Sequence, residues 1–210
     1  RHFVRNYDSC VDFFLENAGR MNTLGCSIFK SSFIKKVLQN YPLDESNYGF
    51  WIPIAPLHQM AAEPVQAGLI VSNVFMYNLC GSPSSYWVTK MLKAWGENWY
   101  RTIMGLPELY NPVKAIVLKV HTEDFHPFTL KSMLTLRSYN GFNLSVYRQY
   151  QFILSQISGN PTWKFYFAAV SPKCFAKLLV RIDQYWISHP TSKLSNLIGK
   201  IYGIYVRLER

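Results

Sequence analysis

Apolar positions in the first half of the chain recur mostly at helical spacing. Residues 7–18 read as a short amphipathic helix that Gly19 ends, and residues 32–40 as another, stopped by Tyr41-Pro42. Pro42, Pro53, Pro56 and Pro64 mark an irregular connection over 41–64. Residues 64–79 fit a buried helix or a strand. Ser82-Pro83 reads as an N-cap with proline at the first helical position, opening a helix over 83–104. In that helix Trp87, Met91, Trp95 and Trp99 recur every four residues, a stripe expected to pack in the core.

The pattern changes after Asn111-Pro112. Residues 113–121 are apolar and β-branched, which predicts a strand buried on both faces. Residues 127–139 follow as a helix through Leu130, Met133, Leu134 and Arg137, with Asn140-Gly141 as its stop. Asn143 caps a further helix running to about Ile157, and residues 158–161 form a turn. Residues 163–170 alternate, with Trp163, Phe165, Phe167 and Ala169 on one face and Lys164 and Tyr166 on the other, so a second strand is expected. Ser171 is the expected cap of a helix with an apolar stripe at Phe175, Leu178, Leu179, Ile182, Tyr185 and Trp186, stopped by His189-Pro190. A last strand is expected over 200–208. The fold class is therefore α+β: a mainly helical region over 1–110, then a lobe over 111–210 with a small antiparallel sheet and packed helices.

Composition adds that the chain can build a core. Of 210 residues 49% are hydrophobic and 16% aromatic, too many for general disorder. The most apolar stretch, 65–80, is broken by Gln66, Ser72, Asn73 and Asn78 and falls short of a membrane span. No signal-peptide pattern is visible, and the start at Arg1 reads as a fragment or a processed product. Cys10, Cys26, Cys80 and Cys174 lie far apart with no CxxC pair, as expected for buried free thiols in a reducing, intracellular compartment.

Charge separates the halves. Residues 1–110 carry nine Lys and Arg and eight acids; residues 111–210 carry 13 and four, a net charge of +9. A field of that sign draws phosphate, whether on nucleic acid or on an anionic membrane to which the protein would be peripheral. On the helix after Ser171 the cations Lys173, Lys177 and Arg181 share one face, and Lys193 and Lys200 follow. These five are the expected anion-binding residues, with few acids to balance them.

Other constellations are weaker. His121, Glu123, Asp124 and His126, on an expected strand-to-helix turn, are metal-ligand types without a helical HExxH spacing, and no metal or cofactor is called. Cys80 precedes the helix expected at Pro83, where a thiol pKa can fall, but no spacing brings a histidine to it. Ser84 and Ser85 have no partners that spacing would fix as a triad.

Residues 117–137 (VLKVHTEDFHPFTLKSMLTLR), 158–167 (SGNPTWKFYF) and 177–206 (KLLVRIDQYWISHPTSKLSNLIGKIYGIYV) carry a family pattern. Over about 113–208 the chain resembles the N-terminal lobe of the phosphatidylinositol phosphate kinase family. Leu178, Leu179, Tyr185, Pro190, Ser192, Leu194, Lys200, Tyr202, Gly203 and Tyr205 match that lobe's leucine-rich helix, polar-proline link and final strand. The resemblance implies a sheet-and-helix lobe that meets phosphoinositide headgroups. It departs where kinase chemistry would sit. The turn has a single glycine, Gly159, followed by Asn160 and Pro161, and proline removes a phosphate-binding N–H. Val170 runs into Ser171-Pro172 where the family has a strand bearing the nucleotide lysine, and these 210 residues stop before the family's C-terminal lobe, with its metal-binding carboxylates, would begin.

Three functions stay open, with the balance against an enzyme. The leading one is a non-catalytic binding or scaffold module whose basic face meets anionic lipid headgroups or another protein subunit. The first alternative is a nucleic-acid-associated protein of a large RNA–protein assembly, for which charge and aromatics are suited but no recognition motif is present. The second is a hydrolase using Cys80 or a metal held by His121 and His126.

Overall fold

A computed structural model describes residues 3–21, 28–41, 52–63, 67–71, 90–125 and 127–188. Strand β1 (Phe3–Tyr7) pairs antiparallel with β2 (Ala67–Val71), from Phe3 opposite Val71 to Tyr7 opposite Ala67. Of the stretch 64–79, read as helix or strand, residues 67–71 are thus strand, and the rest lies outside the described residues.

Helix α1 (Cys10–Met21) starts after Ser9, whose Oγ accepts the Asp12 N–H at 3.2 Å. It runs through Gly19, which the sequence reading had as its end. Phe14, Ala18 and Met21 bury the same face in the core, and that packing outweighs one glycine's cost. Helix α2 (Ser31–Asn40) stops at Tyr41, as expected. The connection over 41–64 is more regular than its prolines suggest. It holds a 3-10 turn, Ile52–Ile54, and helix α3 (Pro56–Ala62), in which Pro56 takes the first-turn position where its missing N–H costs nothing.

Of the helix expected over 83–104, residues 90–104 are described and helical. A π-helical segment, Leu92–Asn98, runs into α4 (Trp99–Met104). Trp99 is fully buried and donates its indole N–H to Leu118 O at 3.3 Å, while Met91 and Trp95 pack half-buried against the core. A 3-10 turn, Glu108–Tyr110, then leads into α5 (Asn111–Phe125).

The second half departs from expectation. Residues 113–121, read as a strand, lie in α5. Val113, Val117 and Leu118 are buried while Ala115, Ile116 and Lys119 face out, a 3.6-residue period that the β-branched composition disguised. Residues 163–170, also read as a strand, form α8 (Thr162–Val170). Between them α6 (Leu130–Ser138) and α7 (Leu144–Ile157) fall where expected. Thr129 caps α6 by accepting the Ser132 N–H, and Asn143 caps α7 by accepting the Val146 N–H at 3.0 Å. Helix α9 (Lys173–Ser188) completes the described chain. The strand expected over 200–208 lies outside the described residues. Among the described residues the second half is helical, and the antiparallel sheet lies in the first half instead.

Trp99, Tyr110, Phe14, Phe128, Phe142 and Phe165 are the largest fully buried side chains, and they belong to one apolar cluster. Helix α1 packs on α5, α6 packs on both α8 and α9, and α7 packs on α5 and α8. No helix among the described residues is long and apolar enough to cross a membrane.

Candidate anion site beside helix α9

The end of α6 builds one wall of a cleft. Asn140 sits at φ 65°, the left-handed region. The Gly141 N–H returns to Leu136 O at 2.8 Å and the Asn140 N–H to Arg137 O at 3.2 Å. This is a Schellman closure with asparagine in the position glycine usually takes. It fixes Ser138, whose hydroxyl donates to Thr135 O at 2.7 Å, and the exposed Tyr139.

Arg137 sets the second wall. Its Nε donates to Ser171 O at 2.8 Å and its Nη1 to Phe142 O at 3.4 Å, so the guanidinium ties the turn between α8 and α9 to the end of α6. Ser171, expected to cap α9, turns its hydroxyl back to Phe167 O at 2.7 Å and closes α8 instead. Helix α9 thereby starts beside the α6 terminus. Lys173, Lys177 and Arg181 fall four residues apart, each about 40° further round the helix, on one flank. With Ser138, Tyr139 and Val180 they line an open cleft of about 380 Å³.

Three of the five expected anion-binding residues are thus brought together; Lys193 and Lys200 lie outside the described residues. The ion pairs Arg5–Glu16, Lys36–Glu63 and Arg101–Glu97 all lie in the first half, away from this cleft. The set offers three cations and the Tyr139 hydroxyl, a chemistry that holds anions.

Other cations of the second half serve the fold. Lys114 is buried and donates its Nζ to Met104 O and Leu106 O; burial pulls its pKa down, while Glu108 pulls it back up. Lys164 is buried and reaches Asn160 Oδ1 at 3.4 Å. Lys119 and Arg148 are exposed on α5 and α7 and do not line the cleft. Among the described residues the cationic platform expected over 111–210 is therefore narrower, one flank of α9.

The remaining candidates lie elsewhere in the chain. His121, Glu123 and Asp124 lie in the last turns of α5, not on a strand-to-helix turn; His126 and Cys80 lie outside the described residues. Cys10 is half-buried and Cys174 exposed, so the expectation of uniformly buried thiols fails at Cys174. Sequence reasoning missed Ser138, Tyr139 and Arg137 because they are more than thirty residues from the α9 cations. The Asn140-Gly141 stop was the one available signal that a helix end lay there. Comparison with protein-family models, with curated proteins and with solved structures finds no match to this chain.

Proposed function

We propose that this protein is a binding module, without bond-making chemistry of its own, that holds the phosphate groups of an anionic partner in the cleft beside α9. The observation that carries the reading is the convergence of Lys173, Lys177 and Arg181 on one cleft. Cations on a helix that belong to a solvated face normally alternate with acids; here Asp183 is the one acid of α9. The likeness to the phosphatidylinositol phosphate kinase lobe supports inositol phosphates as the first anions to try. The reading does not depend on that likeness, since residues 113–121 and 163–170 are helical.

Inositol hexakisphosphate is the test ligand. Each Lys or Arg contributes on the order of 1 kcal/mol at an anionic surface, so Lys173→Ser/Lys177→Ser/Arg181→Ser should weaken binding on the order of 100-fold. Lys119→Ser/Arg148→Ser, outside the cleft, should bind as the parent does. Equal losses in both variants would mean diffuse charge, and the cleft would cease to be the site.

A further inference from the structure

Helix α8 is turned the wrong way for a helix in water. Its buried face holds Phe165, Ala168 and Ala169 together with Lys164. Its exposed face holds Trp163, Tyr166, Phe167 and Val170, at the i, i+3, i+4, i+7 spacing of a single stripe. A helix on an aqueous surface presents polar side chains on that face. Helix α9 exposes apolar side chains of its own. Phe175 and Leu178, expected from sequence to be core, are exposed, and Ala176 takes the fully buried position in their place. All six side chains are between 39% and 55% exposed, and Tyr166 meets Tyr147 edge-on with ring centroids 5.9 Å apart.

The basic cleft adjoins this stripe. Val170 and Lys173 are three residues apart, within about 11 Å along the chain. On α9 itself Leu178 lies about 100° round the helix from Lys177, so a cationic flank and an apolar flank run side by side. Aromatic and aliphatic side chains beside lysine and arginine, on helices too short to cross a bilayer, are the composition of an interfacial helix pair.

We propose that α8 and the first turns of α9 lie on an anionic lipid surface. The six apolar side chains enter the headgroup boundary, and Lys173, Lys177 and Arg181 meet the headgroup phosphates. The proposal rests on the anion-binding reading and names its partner. Charge selects this occupant. A second copy of the chain would set two strongly basic halves, each +9 over 111–210, against one another. RNA would use the rings of Trp163, Tyr166 and Phe167 but gives Val170 and Leu178 nothing to stack on.

Co-sedimentation with phosphatidylcholine vesicles, with and without about 30% phosphatidylserine, tests it, alongside inositol hexakisphosphate binding. The parent should pellet with the anionic vesicles and stay in solution with neutral ones. Phe167→Ser/Leu178→Ser replaces two exposed side chains, so its thermal melt should match the parent's. It should lose vesicle partitioning by on the order of 10-fold while keeping its inositol hexakisphosphate affinity. Lys173→Ser/Lys177→Ser/Arg181→Ser should lose both. Unchanged vesicle partitioning in the Phe167/Leu178 variant would overturn the membrane proposal and leave anion binding intact. So would a parent that is dimeric at micromolar concentration and made monomeric by that variant, or displacement from vesicles by single-stranded RNA whose binding needs Phe167. If the parent binds neither vesicles nor inositol hexakisphosphate, the anion-binding reading falls, and this one with it.

Discussion

Lys114 shows how a formal charge can be spent inside a fold. Its ammonium group closes the backbone carbonyls of Met104 and Leu106 at the end of α4, a favourable place for a cation because the last carbonyls of a helix carry partial negative charge. That buried cation also acts on His58, whose ring lies tilted against Tyr41 with centroids 4.9 Å apart. Burial lowers the His58 pKa, and repulsion from Lys114 lowers it further. The folded chain therefore binds this proton less readily than the unfolded chain, where the group titrates near its ordinary value of about 6.5. Stability contributed by neutral His58 is complete above that value and is lost as pH falls below it toward the lower folded value. Denaturant midpoints should accordingly drop between about pH 7.5 and 5, and His58→Gln should flatten part of that drop. An identical pH dependence in parent and variant would show that the drop comes from other groups.

Periodicity decided which helices could be read from sequence. The caps at Thr129 and Asn143 and the stop at Asn140-Gly141 are local chemistry, so α6 and α7 were legible. For α5 and α8 composition and period pointed in opposite directions. Val113, Ile116, Val117 and Val120 are β-branched, and 163–170 alternates, yet the faces these helices bury follow 3.6 residues. In α8 a short apolar run satisfied both periods, and the deciding fact, contact of Phe165 and Ala168 with a core assembled from distant segments, is tertiary. Part of the candidate site was equally plain, since the four-residue spacing of Lys173, Lys177 and Arg181 needs only a helix. Its facing wall depends on the left-handed Asn140, and that residue offers a measurement. Glycine there removes the Cβ that the left-handed region penalises, whereas a β-branched side chain cannot settle in it. Asn140→Val should be about 1–2 kcal/mol less stable than Asn140→Gly in urea unfolding. It should also bind inositol hexakisphosphate more weakly, because Tyr139 and Ser138 are set by that turn. Equal stability of the two variants would mean that the turn rearranges without cost.

The two halves differ in charge but share a core. Trp99, Ile103, Leu106 and Tyr110 come from the nearly neutral half, and Val113, Val117 and Leu118 from the basic half, yet all seven are buried in one cluster. Polar ties run through it, and the one from Trp99 to Leu118 joins the halves. Tyr110 donates its hydroxyl to Leu57 O at 2.8 Å, with burial pushing the phenol well above its usual range, and Trp99 donates to Leu118 O. Burying each large side chain is worth roughly 2 kcal/mol, and a domain's whole stability is on the order of 5–15 kcal/mol. Losing four such partners would therefore remove stability comparable to the total. The basic half depends on the first half for its shape, so the cleft beside α9 is presented by the molecule as a whole. Residues 111–210 expressed alone should melt without a cooperative transition and bind inositol hexakisphosphate with the weak, steeply salt-dependent affinity of an unstructured polycation. Refolding them together with residues 1–110 should restore both the transition and the affinity. A cooperative melt from residues 111–210 alone, with binding equal to that of the full chain, would show that the first half has another role, and that the cations of α9 need only α6, α7 and α8 to hold them in place.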